Sequence, residues 1–317
     1  MRERTQPDLP APSDHHGESG STTRDPFLAH LRAAQAADGG WPYQEGQSSA
    51  LEPTAFALLA FRAGGEEAET EVRRGLKALG RWQASGGGFS IQEGVPPGPY
   101  ATALAMVAML AYDRESPAVE LARRWLIRSR SESVSDPSGT LGHDTRLVGW
   151  SWIEGTHGWV EPTAWAVRAL RGCGDDQHPR VREGLSMIFD RAVDGGGWNY
   201  GNVEVLGRRL AAQPDATGVV LMAVAGISHR SIVPALDYLA DESLRVRSPW
   251  SVAWARLGLV GHDRPAQPIP AFNRRRLGIN DTLNAALLRL ASAPHANHPL
   301  LSIQTDVPSV RTWGTRP

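Results

Sequence analysis

The chain has 317 residues, of which 41% are apolar and 21% charged, with a formal net charge of −1 at pH 7 and one cysteine. This near-neutral charge gives no broad attraction to nucleic acid, so we expect no nucleic-acid partner. A single cysteine excludes an internal disulfide and suits a reducing compartment, which favours the cytoplasm. No apolar run approaches the roughly 20 residues of a transmembrane helix, and peripheral contact with a membrane is left open.

The two ends of the chain differ from its body. Residues 1–24 are polar and rich in Pro, Ser, Gly and charge, which predicts a disordered tail rather than a secretion signal. Asp25-Pro26 opens a first amphipathic helix, and the last apolar helix is predicted to end at Ala293. We therefore expect one domain over 25–293, followed by a loosely attached tail over 294–317.

A short pattern recurs along the body and begins a series of apolar helices. Its clearest form is Glu161-Pro162-Thr163-Ala164-Trp165. Proline fits the first helical turn, where its missing N–H would lack a partner, so each copy predicts a helix start. Related forms are Glu52-Pro53-Thr54-Ala55, Pro99-Tyr100-Ala101-Thr102-Ala103, Pro214-Asp215-Ala216-Thr217-Gly218, Ser248-Pro249-Trp250-Ser251 and Gly278-Ile279-Asn280-Asp281-Thr282. Six such anchors predict six repeats.

Glycine-rich turns and charged helices separate these apolar helices. The turn Gln35-Ala36-Ala37-Asp38-Gly39-Gly40-Trp41 returns in variant form at 83–89 and 192–198. A helix with a charged stripe faces water, whereas one that is apolar all round is buried. The alternation predicts an all-α fold of two rings, an (α/α)6 toroid. Its sixth outer helix, within 264–278, is the weakest because that segment contains three prolines.

The glycine turn followed by a Pro-Thr-Ala helix resembles the QW repeat of squalene-hopene cyclases, within the terpenoid cyclase and protein prenyltransferase beta-subunit superfamily. The resemblance covers 25–293 and is that of a single-domain, bacterial-type member. It implies a barrel whose inner helices line an apolar cavity for a polyisoprenoid partner. Squalene-hopene cyclases have a second barrel-like domain, so the single barrel here favours a smaller substrate or a cavity completed by a partner.

We expect no metal and no other cofactor in this chain. Protein prenyltransferases hold zinc through Asp, Cys and His ligands. Here the single cysteine, Cys173, follows an inner helix, and no cysteine follows an acid at ligand spacing. We therefore expect no zinc site.

Carboxyl groups recur at the starts of the inner helices. Cyclases of this type carry Asp-x-Asp-Asp-Thr, in which the acid two residues before Thr protonates an alkene or an epoxide. The nearest match in this chain has Asn280 at that position. Three other anchors, however, carry an acid there: Glu52, Glu161 and Asp215. With the repeats in register these acids would meet at one rim, where burial keeps a carboxyl protonated. The alternative interpretation is that they complement the helix dipoles.

Aromatic residues cluster at the end of the longest irregular segment, 131–160. Loops of this length are usually lids or disordered, and aromatic faces can stabilise a carbocation. We therefore expect substrate contacts from this loop, from the inner helices and from the last anchor: Trp150, Trp152, Trp159, Trp165, Phe56, Tyr100, Trp250, Trp254, Asn280 and Asp281. The alternative is that the tryptophans only pack the repeat.

One histidine is a candidate for acid–base chemistry. His157 lies four residues before Glu161, within reach of an acid–base pair. The alternative is a loop histidine bonded to backbone groups. We include His157 with the three acids as a candidate catalytic group.

Three functions are compatible with these residues. The three acids and the aromatic residues favour acid-initiated cyclisation of a polyisoprenoid in an apolar barrel. Asn280 favours instead a toroid that binds an isoprenoid or a protein partner without catalysis. The third is prenyl-group transfer without zinc, in which arginines at 208–209 or 274–276 hold a diphosphate.

Overall fold

The computed structural model describes residues 25–65, 68–136, 139–269, 281–295, 298–301 and 311–312. Within these ranges the chain forms eleven helices and two pairs of two-residue strands. None of the described helices combines the length with the apolar character that crossing a bilayer requires. The predicted tail at 1–24, Asn280 and the arginines at 274–276 lie outside the described residues.

Six helices form an inner ring, and each begins at or next to one of the predicted anchors. They are α2 (Leu51–Gly64), α4 (Pro99–Leu110), α6 (Val160–Gly172), α8 (Pro214–Ala223), α10 (Pro249–Val260) and α11 (Thr282–Ser292). These helices are apolar nearly all round, and in α4 every residue from Pro99 to Met109 is buried. Each inner helix packs against the next, and α11 packs against α2, which closes the ring.

Five outer helices precede or link the inner ones. They are α1 (Pro26–Ala34), α3 (Glu69–Gly80), α5 (Pro117–Arg128), α7 (Pro179–Asp190) and α9 (Ile232–Ser243). Each buries only one face, as in α3, where Gly75, Ala78 and Leu79 are the buried residues. The predicted double ring is thereby confirmed, although residues 270–280, where the sixth outer helix is expected, lie outside the described part.

A hydrogen bond between an anchor threonine and an aromatic residue of the preceding turn repeats around the ring. In each case Oγ1 of the threonine accepts a backbone N–H. The pairs are Trp41 with Thr54 at 2.9 Å, Phe89 with Thr102 at 2.8 Å, Trp150 with Thr163 at 2.8 Å and Trp198 with Thr217 at 3.0 Å. Three of the indole N–H groups also donate to carbonyl oxygens of outer helices, at Leu31, Leu126 and Ile188. Each turn is thus fixed between an outer and an inner helix.

Two short strand pairs complete the described structure. β1 (Glu204–Val205) pairs antiparallel with β2 (Arg208–Arg209), and the hairpin lies just before α8. β3 (Ile227–Ser228) pairs parallel with β4 (Arg311–Thr312), which attaches this part of the C-terminal segment beside the end of α8. These pairs are too short to form a sheet layer, so the helices alone build the core.

A segment beyond the last helix packs against the C-terminal half of α6. Nε of Arg168 donates to the carbonyl oxygen of Leu300 at 2.8 Å, and Nη2 donates to that of Pro299 at 3.0 Å. His298 and Leu300 are 1% and 0% exposed. Residues 298–301 are therefore attached to the barrel, because the buried guanidinium of Arg168 donates hydrogen bonds to carbonyl groups of this segment. This differs from the loosely attached tail expected from residue 294 onwards.

Candidate active site

The loops that lead into the inner helices meet at one end of the barrel. Leu51 N–H donates to Ile91 O, Val160 N–H donates to Tyr200 O, and Thr282 N–H donates to Tyr43 O. These bonds join the entrances to three of the inner helices with the loop before the neighbouring inner helix. The first turns of the inner helices therefore share one rim, and their acids are brought to it.

Glu161 in the first turn of α6 is the most perturbed of these acids. Its side chain keeps some accessible surface but is enclosed by atoms on nearly all sides. Burial, and then the nearby charges of Glu52 and Asp215, raise the pKa of Glu161 to about 8, and the indole of Trp165 opposes this only in part. The carboxyl therefore holds its proton at neutral pH and can act as a proton donor.

Glu52 in the first turn of α2 accepts hydrogen bonds from two phenols. The hydroxyl of Tyr100 donates to Oε1 at 2.5 Å, and that of Tyr43 donates to Oε2 at 2.6 Å. Burial and the charge of Glu52 raise the pKa of both phenols well above the ordinary value, so both remain donors. Across the rim, the hydroxyl of Tyr200 donates to Oδ2 of Asp215 at 3.2 Å. The three rim carboxyls, Glu52, Glu161 and Asp215, thus have different environments.

Sequence reasoning missed two of these tyrosines. Tyr43 and Tyr200 each stand two residues after the tryptophan of a glycine turn. Trp152 stands in the same position after Trp150, and its ring packs on that of Tyr100 with centroids 4.5 Å apart. Trp152 is 38% exposed, so it covers Tyr100 from the solvent side of the rim. An aromatic residue two positions after the turn tryptophan would therefore have predicted a side chain at the rim.

Four aromatic rings from three inner helices meet in the lumen. They contact one another mainly edge to face, with ring centroids 5.7 to 6.3 Å apart. We call this set the aromatic floor: Phe56, Trp165, Trp250 and Trp254. Phe56 and Trp165 follow Glu52 and Glu161 by four residues, so they lie one helical turn, about 5 to 6 Å, deeper than the acids.

The aromatic floor occupies part of the barrel interior in which the sequence predicts an apolar cavity. Phe56, Trp165 and Trp254 are 0% exposed because they fill the lumen against one another. Only Trp250, in the first turn of α10, is half-buried and reaches the level of the rim carboxyls. The indole N–H of Trp254 is buried and has no acceptor among the described residues. A ligand would therefore bind on the rim side of the floor, or these rings would have to move to admit it.

Trp150 does not contact the lumen, which corrects the prediction that it binds substrate. It is fully buried as the turn aromatic that precedes α6, and its indole N–H donates to Leu126 O at 3.0 Å. The guanidinium of Arg180 stacks on its ring at 4.1 Å from the centroid. The spacing would have predicted this role, because Trp150 stands 13 residues before Thr163, as Trp41 stands 13 residues before Thr54.

His157 and Trp159 also lie away from the rim carboxyls. Residues 132 and 157 form a short parallel bridge, and this places Nδ1 of His157 3.3 Å from Glu132 O. His157 and Trp159 line a separate recess beside Arg191 rather than the lumen. The predicted pair of His157 with Glu161 is therefore not formed, and the backbone-bonded alternative is the correct one.

Asp281 has a structural role, which corrects its expected contact with substrate. Its Oδ1 accepts the backbone N–H of Leu283 at 2.8 Å, and Oδ2 accepts the side-chain amide of Asn284 at 2.9 Å. The carboxylate thus caps α11. Asn280, beside it, lies outside the described residues.

Groups suited to a diphosphate or a metal do not gather at the rim. Arg209 forms an ion pair with the exposed Asp194. Over the described ranges, no group of three or more His, Cys, Asp or Glu side chains is placed to hold a metal ion. The polar chemistry of this rim is that of carboxyl and phenol groups.

Comparison with known proteins supports the fold. No protein-family model and no curated protein matches the sequence. Among solved structures, a protein from Actinoplanes is 16% identical with a TM-score of 0.52, over 82% of this chain and 77% of that one. The type II terpene cyclase MstE from Scytonema is 14% identical with a TM-score of 0.50, over 84% and 75%. A point variant of MstE gives the same identity and TM-score, over 84% and 95%. The chain therefore has the terpenoid cyclase-like fold that its repeats resemble.

Proposed function

We propose that the protein is an acid-initiated cyclase of an isoprenoid, with Glu161 as the proton donor. The observation that carries this proposal is the Glu161 carboxyl, which is protonated at neutral pH and lies one turn above the aromatic floor. Burial, and then the negative charges of Glu52 and Asp215, raise the pKa of Glu161 and keep its proton in place. Tyr43, Tyr100 and Tyr200 orient those two carboxyl groups.

The chemistry begins with one proton transfer. Glu161 donates its proton to the terminal alkene carbon or epoxide oxygen of the substrate, and a cation forms at the adjacent carbon. A neighbouring alkene of the same chain attacks that carbon and closes a ring. Loss of a proton from the last cation ends the reaction, so substrate and product are isomers. A carboxyl with a raised pKa is a weak acid, and an epoxide oxygen accepts a proton more readily than an alkene carbon does. We therefore expect an isoprenoid epoxide to react faster than the corresponding alkene.

The aromatic floor supports a short substrate. It fills the lumen one turn below the acids, so a chain that enters from the rim meets rings at that depth. A ring face turned toward Glu161 would stabilise a cation formed there. The shallow depth above the floor favours an isoprenoid shorter than a triterpene.

The test is a panel of linear isoprenoids incubated with the protein and analysed by mass spectrometry. It includes squalene, oxidosqualene, geranylgeraniol and its terminal epoxide. We expect a cyclic isomer from at least one substrate, and no product from Glu161→Gln. The control is Glu154→Gln, which neutralises an exposed acid in the loop 131–160 and should keep full activity. Equal product from the wild type and Glu161→Gln would disprove the proposed role of Glu161.

The closed packing of the floor favours a second candidate, a toroid that binds an isoprenoid without converting it. In that case the wild type would retain a substrate through gel filtration and return it unchanged. Trp152→Ala, which uncovers the rim, would then weaken binding. Recovery of a cyclic product would exclude this candidate.

A further inference from the structure

A second concave site lies on the side of the barrel, between the loop 131–160 and the C-terminal end of α7. It has a volume of about 230 Å³. We call it the side recess, and the residues that matter to its chemistry are His143, His157, Trp159, Arg191 and Asn202. None of the rim carboxyls lines it.

Arg191 is the main charge of the side recess. It is 6% exposed, and its Nη1 donates to the carbonyl oxygen of Gly158 at 2.9 Å. Its Nε is buried without a hydrogen-bond partner, and no carboxylate of the described residues forms an ion pair with it. Burial lowers the pKa of Arg191 to about 10, and the charge of Asp190 offsets this only in part. A buried cation that lacks a counter-charge is costly, and an anion would relieve that cost.

Two histidines, His143 and His157, add polar groups to the lining of the side recess. Nδ1 of His143 lies 2.8 Å from Leu141 O, and Nδ1 of His157 lies 3.3 Å from Glu132 O. Because a carbonyl oxygen only accepts, the hydrogen of each neutral ring belongs on Nδ1. Nε2 of each neutral ring is then an acceptor, which can take an O–H such as that of a hydrogen phosphate ion. Both rings are near enough to Arg191 to share one ligand, since all three line the same recess.

The remaining wall of the side recess is mostly apolar, although the exposed Glu132 and the partly exposed Thr145 also line it. Trp159 supplies an aromatic surface, and its other face is covered so closely by Gly201 that a Cβ there would lie 2.7 Å from the ring. Val134 and Leu147 line the recess as well. A ligand that suits this wall has hydrocarbon next to its charged group.

We propose that the side recess binds a small organic oxyanion, a carboxylate or phosphate carried on a short apolar body. The guanidinium fork of Arg191 matches the two oxygens of either group, and Trp159 contacts the apolar body. The amide of Asn202 lies at the same recess and can donate to the same oxygens. The site is independent of the cyclase chemistry, because it shares no residue with the rim.

Isothermal titration calorimetry tests the site with three probes: hexanoate, inorganic phosphate and hexanol. We expect saturable binding of hexanoate or phosphate, and none of hexanol at the same concentration. The stronger of the two anions identifies the head group. Loss of a buried charge-assisted contact in Arg191→Gln should weaken binding at least about tenfold. The control Arg146→Gln, at a side chain that is 89% exposed, should bind as the wild type does.

A second variant keeps the test decisive if Arg191→Gln does not fold. Asn202→Ala removes an amide donor from a partly exposed side chain of the recess, and should weaken anion binding about threefold or more while circular dichroism stays unchanged. No saturable heat from either anion, binding of hexanol as strong as that of hexanoate, or unchanged affinity in the folded variants would each overturn the proposal.

Discussion

The hydroxyl of Tyr100 on α4 donates to Oε1 of Glu52 on α2 at 2.5 Å, across the joint between two repeats. The second oxygen of the same carboxylate accepts from Tyr43, in the turn that precedes α2. One acid thus holds three segments of the rim together. The charge of Glu52 also raises the pKa of Glu161. The residue that joins these segments therefore also affects the protonation of Glu161.

Tyr100→Phe is expected to destabilise the protein by about 1.5 to 3 kcal/mol, since it removes a buried donor to a carboxylate. The measurement is urea unfolding followed by circular dichroism. In the Glu52→Gln background the same change should cost less than half as much, because the charge is gone. Equal costs in the two backgrounds would show that the phenol only fills space.

Glu161→Gln is expected to flatten the dependence of stability on pH. The pKa of this carboxyl rises from 4.5 to about 8 on folding. The folded state therefore binds a proton that the unfolded chain releases, and the stabilisation is complete below pH 4.5 and is lost as pH rises to about 8. The wild type should lose about 5 kcal/mol relative to the variant across this interval, because each unit of pKa difference between the folded and unfolded states contributes about 1.4 kcal/mol.

The measurement is urea unfolding at several pH values between 4.5 and 9 for the wild type and Glu161→Gln. Glu154→Gln, which changes an exposed acid, should follow the wild type. Parallel curves for the wild type and Glu161→Gln would mean that the carboxyl titrates in the folded protein as it does in the unfolded chain. Cyclase activity, if found, should fall above pH 8 for the same reason.

The order of helices could be predicted from the sequence because its signals are local. Proline at a helix start, apolar residues all round and a charged stripe each act within one helix. The charged helices predicted between the apolar ones include α5 (Pro117–Arg128) and α9 (Ile232–Ser243). The meeting of acids at one rim followed from the equivalence of the repeats.

The details of the rim could not be predicted because they depend on contacts between repeats. The bonds from Tyr43 and Tyr100 to Glu52 join residues 9 and 48 positions apart. His157 was placed near Glu161 by sequence distance, but the bridge between 132 and 157 turns it to the side recess. The closed floor likewise depends on how rings from α2, α6 and α10 meet.

Thr163→Val is expected to destabilise the protein by about 1 to 3 kcal/mol, because it leaves the buried N–H of Trp150 without an acceptor. Oγ1 of Thr163 accepts that N–H at 2.8 Å. Thr163→Ser keeps the hydroxyl and should cost roughly half as much. Urea unfolding gives the stability change, and amide hydrogen exchange of Trp150 should quicken only in the valine variant. A serine variant as unstable as the valine one would mean that packing of the methyl group, not the hydrogen bond, fixes the turn.

Gly218→Ala is expected to destabilise the protein by about 3 kcal/mol or more, because overpacking between two backbones cannot be relieved by a side chain. A Cβ at Gly218 would lie 2.2 Å from the carbonyl oxygen of Trp254, which carries part of the aromatic floor. The control is Gly80→Ala at the exposed end of α3, where nothing lies within 4 Å of the added carbon. That change should be neutral or stabilising by up to about 1 kcal/mol. The midpoint of urea unfolding measures both, and similar midpoints would show that α8 and α10 can separate without loss of the ring.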